Sequence, residues 1–381
     1  MKIGIISGEY PPMRGGVGAC AHILAHRYAQ QGHEVAILTA PDGLDETLST
    51  THTRWTPNRM LAIQRWIKQE RIEIVHLHYQ TAAFQMSPWI HFLPEVIRPL
   101  VPLVTTFHDL RFPYLFPKAH FLRTWIVNRL ARQSNWAVVT NHEDANRLDW
   151  LITHSLIPIG SNILTASPLT QRERQPSTPF QLVYFGFLND SKGVDTLYHA
   201  LARLTQDGIP AQLTMVGDPF GSSDPSNRAY AQQLDRLAQQ LSIQPQLTWT
   251  GYIPEEAVGQ HLAQSDAVVL PYRDGASFRR GTLMAAIHYG CAIVTTTPRV
   301  SIPEFVHEDN MLLIPSDSPQ DLATMLGRLY HDQALRMHLQ EQVYTLREQF
   351  NWGKIAQDYL NLFELLITTT SMSAMSSTNI Q

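Results

Sequence analysis

Short apolar runs alternate with longer stretches of helical period along most of the chain. Residues 2–7 form the first apolar run and read as a buried strand. A loop rich in proline and glycine follows at 10–18. Residues 19–31 then place Ile23, Leu24, Tyr28 and nearby alanines on one face of a helix. Gly32 ends that helix and 34–39 is the next strand, completing a βαβ unit of the kind parallel strands need. The alternation continues with a helix at 60–70, strands at 74–78 and 103–107, a helix at 121–133 and strands at 137–140 and 157–159.

Between about residues 164 and 179 the composition shifts to Ser, Thr, Pro, Gln and Arg, as in a solvated linker. A second alternating series follows. Strands are expected at 182–185, 212–216, 247–250, 267–270 and 292–295, and helices at 194–204, 228–241, 254–263, 281–288, 318–331 and 334–349. No internal repeat of short period is visible. The predicted class is α/β, with two Rossmann-like domains facing across a cleft. The expected divisions are 1–163, 180–350 and a tail from 368 to 381, rich in Ser, Thr and Met, that reads as disordered.

A length of 381 residues suits two domains or three, and 44% hydrophobic with 16% charged residues is the balance of a globular protein with large cores. The net charge of -4 provides no basic field for nucleic acid, so any phosphate site must be local. Cys20 and Cys291 are far apart and read as two buried reduced thiols. The first residues do not read as a signal peptide, because their apolar stretch is short and runs into Glu9 and two prolines. No stretch approaches the ~18 apolar residues of a membrane span. A cytoplasmic location is therefore expected, with peripheral contact at the inner face of a membrane left open. No obligate protein partner is evident.

Three strand-to-helix loops carry candidate chemistry. In the loop 9–18, Gly15 and Gly16 would let a ligand approach the backbone beside a helix N-terminus, which suits phosphate. The loop lacks the GxGxxG spacing of a dinucleotide site, so no such cofactor is indicated. In the loop 185–193, Gly186 opens the turn and Lys192 stands near a helix start, where it can meet a phosphate as a point charge. The stretch 271–282 is the most informative. Arg279 and Arg280 sit at a helix N-terminus, where the helix dipole disfavours cations unless an anion lies between. Asp274, Ser277, Phe278, Gly281 and Thr282 complete the expected donor-binding set. The bland alternative is a surface ion pair with Asp274.

His108 follows a strand at its carboxyl end, on the ligand side of the sheet, and His76 and His78 read as structural histidines. Seventeen histidines suggest no metal site, because no spacing resembles a ligand set. The aromatic, partly basic segment 112–121 reads as a packed loop, with contact to a lipid-linked acceptor as the alternative.

Taken in order, several pieces resemble the retaining glycosyltransferases of family 4 with the GT-B fold. They are Glu9-Tyr10-Pro11-Pro12 with Gly15-Gly16, Gly32-His33-Glu34-Val35, Val75-His76-Leu77-His78, Thr106-Phe107-His108-Asp109, Ile157-Pro158-Ile159-Gly160, Lys192-Gly193, and Gly290 with Val294. The resemblance covers about residues 1–365. It implies a nucleotide-sugar donor held mainly by the second domain and a glycan, lipid-linked or small-molecule acceptor held mainly by the first. It also implies retention at the anomeric carbon without an essential metal or cofactor, in glycan, polysaccharide or glycolipid assembly. A last helix, at about 352–367, would cross back onto the first domain. His108, Lys192 and Arg280 are the residues to which catalysis would fall.

Two departures stand out. The family arginine five residues before the lysine is Phe187 here, and the two glutamates separated by seven residues fall on Ser277 and Ala285. Counted from Pro271 instead, Asp274-Gly275 matches the first Glu-Gly, and the second carboxylate is still missing. Arg279 and Arg280 are expected to replace the missing arginine. A non-catalytic GT-B protein and, behind it, a nucleotide-sugar 2-epimerase are the competing readings.

Overall fold

A strand of Val, Ile and Leu that is buried on both faces belongs in a parallel sheet covered by helices on each side. The computed structural model, which describes residues 1–13, 15–110, 120–164, 179–217 and 225–378, contains two such sheets. They lie in separate units, Met1–Ile159 with Asn351–Gln381, and Gly160–Phe350.

The first unit is built from β1 (Lys2–Ser7), α1 (Gly16–Gln30), β2 (Glu34–Thr39), β3 (Ser49–His52), α2 (Met60–Gln69), β4 (Ile74–Tyr79), α3 (Leu93–Ile97), β5 (Leu103–Phe107), α4 (His120–Gln133), β6 (Trp136–Val139), α5 (His142–Arg147) and β7 (His154–Leu156). Its strands lie in the order β3-β2-β1-β4-β5-β6-β7, all parallel. The second unit has β8 (Phe180–Phe185), α6 (Val194–Gln206), β9 (Ala211–Val216), α7 (Pro225–Gln240), β10 (Leu247–Trp249), α8 (Glu255–Gln264), β11 (Ala267–Leu270), α9 (Gly281–His288), β12 (Ile293–Thr296), β13 (Leu312–Ile314), α10 (Pro319–His331) and α11 (Gln333–Leu346). Its order is β10-β9-β8-β11-β12-β13, again parallel throughout.

The differences from expectation have local causes. The strand expected at 157–159 is β7, three residues earlier. The Ile157 N–H donates to the Val139 carbonyl at 3.0 Å, and Pro158 then has no N–H to continue the ladder. β3 reads Ser-Thr-Thr-His and carries no apolar alternation, so the pattern missed it. The expected linker and most of the aromatic segment lie outside the described residues, at 165–178 and 111–119.

The chain returns to the first unit with α12 (Trp352–Thr378). Disorder was expected from residue 368, yet the helix continues to Thr378, because no proline or glycine follows Gly353 to stop it. Its inner face lies on β4 and α1. Phe363 meets the rings of Tyr28 and His76 at 5.7 and 5.4 Å, and the Tyr359 ring lies 4.6 Å from His76. The Tyr359 hydroxyl bonds Thr106 Oγ1 at 2.8 Å. Among the described residues no helix is long and apolar enough to cross a membrane.

Phe363 is fully buried. Phe363→Ala should therefore destabilise the first unit by about 3–5 kcal/mol, the cost of removing a buried phenyl group. Denaturant unfolding monitored in that unit checks this, and a change under about 0.5 kcal/mol would mean that α12 is not docked as described.

Candidate functional site

In a doubly wound sheet a crevice forms where successive crossovers go to opposite faces, outside the carboxyl ends of the strands. In the second unit that point lies between β8 and β11, which are neighbours in the sheet. The loops that follow these two strands are 186–193 and 271–280. They hold Lys192 and Arg280.

The two loops are laced together. The Arg273 N–H donates to the Ser191 carbonyl at 2.9 Å. The Arg273 guanidinium bonds Asp195 at 2.5 Å, Asp317 at 2.8 Å and Asp190. Three carboxylates thus surround one cation, and Arg273 acts as a staple. Asn189 Oδ1 accepts from the Ser191 N–H at 2.9 Å and shapes the turn Asp190–Lys192. Gly186 has φ of 138°, and a Cβ there would lie 3.1 Å from the Thr282 methyl group. Only glycine takes that backbone conformation easily, and it lets β8 end close to the start of α9.

Tyr272 is the floor of the site. It is fully buried, and its hydroxyl bonds Thr282 Oγ1 at 2.6 Å. The Lys192 ammonium lies 5.1 Å from the ring centroid and the Arg280 guanidinium 4.7 Å from it. Both cations are therefore held over one aromatic ring. Arg280 also pairs with Asp274. The bland alternative, an ion pair with Asp274, thus exists, but Arg280 is mostly buried in it, at 17% side-chain exposure. Two positive groups and one carboxylate leave a local positive excess beside the first turn of α9, whose N-cap has no side-chain hydrogen bond. Burial pushes the Lys192 ammonium down to about 8, with Arg280 adding to the effect and Asp274 opposing it.

Other expected residues take lesser places. Ser277 Oγ accepts from the Arg279 N–H at 3.3 Å within the turn, and Gly281 is exposed at the start of α9. Phe278, expected among the donor-binding residues, is instead a core anchor. It is 1% exposed and meets Phe305 and Phe350 edge to face at 5.4 and 5.0 Å. The apolar ring gains more from that burial than a solvated site could offer.

In the first unit the switch point lies between β1 and β4. Here, in the loop of Gly15 and Gly16, Glu9 folds back onto the helix start. Its carboxylate accepts from the Val17 and Gly18 N–H groups, both at 3.1 Å, and so caps α1 with an anion of the chain's own. A Cβ at Gly15 would stand 2.0 Å from Glu9 Oε1, so the glycine makes room for Glu9. Gly16 has open space beside it. His108 stands half-buried at the end of β5, and its Nε2 lies 3.0 Å from His78 Nδ1. His76 Nε2 bonds Thr106 Oγ1 at 2.8 Å. Burial pushes His108 down to about 4 and, with the neighbouring His108, His76 to about 3, so both imidazoles are neutral at neutral pH.

Sequence reasoning missed Tyr272 and Arg273, which bear no motif, although both follow a strand end directly. Among the described residues, the fold also brings together two groups of side chains of metal-ligating type that sequence reasoning missed, Cys20 with His78 and His108, and His22 with His26 and Asp45. The i,i+4 spacing of His22 and His26 was the available signal for the second.

Residues 14–160 match the family described as Glycosyltransferase Family 4, and residues 179–332 match Glycosyl transferases group 1. Each unit thus resembles one glycosyltransferase family model. A curated relative, D-inositol 3-phosphate glycosyltransferase from Corynebacterium jeikeium, is 27% identical over 222 residues, 55% of this chain and 51% of that protein. The chain thus spans about half the length of that relative. Among solved structures, Anabaena HepE in complex with UDP has a TM-score of 0.76 at 16% identity, over 96% of this chain and 100% of that one. Sucrose-phosphate synthase from Thermosynechococcus elongatus has a TM-score of 0.73 at 19% identity, over 97% and 99%. The fold is GT-B.

A lysine titrating near pH 8 should differ from ordinary solvated lysines, which titrate near about 10.4. Competitive acylation followed by mass spectrometry should show Lys192 reacting with a midpoint near pH 8, moved upward in Arg280→Ala. A midpoint that does not move would remove Arg280 as a neighbour.

Proposed function

We propose that this chain is a metal-independent enzyme. It transfers a hexosyl group from a nucleotide diphosphate sugar to an acceptor hydroxyl, with retention of anomeric configuration. The observation that carries the proposal is the positive excess over Tyr272, where Lys192 and Arg280 stand over one ring and Arg280 pairs with Asp274 beside an uncapped helix start. A departing diphosphate develops negative charge as the glycosidic bond breaks. Fixed cations and helix-start amides aimed at that charge lower the barrier without reorganisation. Lys192 acts as a point charge, Arg280 as a two-pronged donor oriented by Asp274, and Thr282 with the Gly281 and Arg279 groups completes the donor set. Burial favours the neutral form of His108. It can hydrogen-bond an acceptor hydroxyl but brings no charge of its own.

The relatives named above support this choice of substrate class. HepE was solved with UDP and with UDP-glucose, and the Corynebacterium relative is named for glycosyl transfer to an inositol phosphate. Assembly of a glycan, polysaccharide or glycolipid in the cytoplasm, at or near the inner face of a membrane, fits such a donor.

One observation favours a second reading, a GT-B protein that binds a nucleotide sugar without turnover. Phe187 is 58% exposed where the family arginine would stand, and Ala285 is fully buried within α9 where the second glutamate would. The first position supplies no cation and the second no carboxylate. Release of nucleoside diphosphate from a panel of donors and acceptors separates the two readings.

Arg280→Ala should weaken donor binding by at least ~1.5 kcal/mol, about tenfold, as for a lost charged hydrogen bond. Calorimetric titration with UDP-glucose and other donors checks this; unchanged affinity in both Arg280→Ala and Arg279→Ala would sink the assignment. The pH dependence has a definite sign. Lys192 loses its charge as pH rises through about 8, so affinity for a nucleoside diphosphate should fall from neutral pH upward across that value. Lys192→Met should bind weakly and flatten this limb.

A further inference from the structure

We propose that His22, His26 and Asp45 form a binding site for a divalent transition-metal ion, zinc foremost, on the flank of α1. The site lies outside the donor-binding loops and does not rest on the transfer reaction.

Residues four apart on a helix project from one face, a turn apart. His22 and His26 have this relation in α1, and their rings lie 4.4 Å apart between centroids. Both point a nitrogen at the same atom. His22 Nδ1 is 3.2 Å and His26 Nε2 is 3.0 Å from Asp45 Oδ2. The three ligand atoms lie within 4.8 Å of one another. Ligands about 2.0–2.2 Å from a common tetrahedral centre stand at separations of that order. Two imidazoles and one carboxylate are a donor set that zinc accepts, and a water or the Tyr10 hydroxyl can complete it. Tyr10 is near enough to serve, at 2.7 Å from Asp45 Oδ2 and 3.3 Å from His22 Nδ1.

The carboxylate is fixed by more than the histidines. Asp45 Oδ1 accepts from the Thr47 N–H at 3.0 Å, the Leu48 N–H at 3.0 Å and the Thr47 hydroxyl at 3.1 Å. Asp45 is thus a buried carboxylate with its outer partners in place, the support that metal ligands need. The histidine side chains are 40% and 33% exposed, so an ion can enter from solvent. The Tyr10 hydroxyl and both imidazoles converge on one carboxylate oxygen.

The second cluster, Cys20 with His78 and His108, lacks these properties. It holds no carboxylate, and the two imidazoles already bond each other. It serves as the internal comparison. An ion at the first site would tie Tyr10 and the segment 45–48 to α1, next to the Glu9 carboxylate that caps the same helix.

The test uses the full chain, stripped with a chelator and dialysed against limiting zinc. Wild type should retain one zinc per chain by elemental analysis, and Cys20→Ser should retain the same. His22→Gln with His26→Gln should retain none, and His26→Gln alone should weaken binding at least about tenfold. Cobalt substitution should give the intense visible absorption of a four-coordinate site in wild type and Cys20→Ser but not in the double histidine variant. Zinc should also shield His22 and His26 of the wild-type chain from diethyl pyrocarbonate, a readout that needs no variant to fold. Three results would overturn the proposal: no zinc retained by wild type, equal retention by the double variant, or loss of zinc in Cys20→Ser alone.

Discussion

A parallel strand can be joined to its neighbour only by a crossover, and that constraint arranges everything else in this protein. Because all strands in each sheet run one way, every strand-to-helix loop of a unit emerges at the same edge. The strand order reverses direction once in each sheet, between β1 and β4 and between β8 and β11. There the loops diverge and leave room. Lys192 and Arg280 owe their nearness to this topology rather than to any closeness in the chain.

Within that frame, charge decides what each loop does. The loops of the two units look alike as sequence, each a glycine-bearing link from strand to helix. Their helix starts are treated in opposite ways. At α1 the chain supplies its own anion, Glu9, and the partial positive charge of the helix is answered internally. At α9 the side chains near the helix start are Arg280 and Thr282, and positive charge accumulates. Arg273 shows the contrasting case in the same loop, a guanidinium surrounded by three carboxylates and committed to holding loops together.

Much of the architecture was readable because buried parallel strands are nearly continuous apolar runs. β1, β2, β5, β11 and α9 fall where the pattern put them. Polar β3 and the three-residue β13 have no such signature and were not found. The candidate site was legible in part. Lys192 and Arg280 announced themselves as cations at helix starts, where dipoles disfavour them. Tyr272 did not, since a tyrosine after a strand has many uses. Phe278 misled for the opposite reason. It sits among polar loop residues, yet a ring that can reach Phe305 and Phe350 goes to the core. Nor could sequence show that Gly15 accommodates Glu9, six residues earlier, because that depends on how the loop folds back.

The return of α12 makes the first unit discontinuous in the chain. Its first 159 residues contain all seven strands but not Tyr359 or Phe363, which cover Tyr28, His76 and Thr106. During synthesis those residues emerge only after the whole second unit has been made. Until then the growing polypeptide carries an uncovered strip of ring edges along β4 and α1. Such a strip invites chaperone attention or self-association, and it couples maturation of the beginning of the protein to completion of its end.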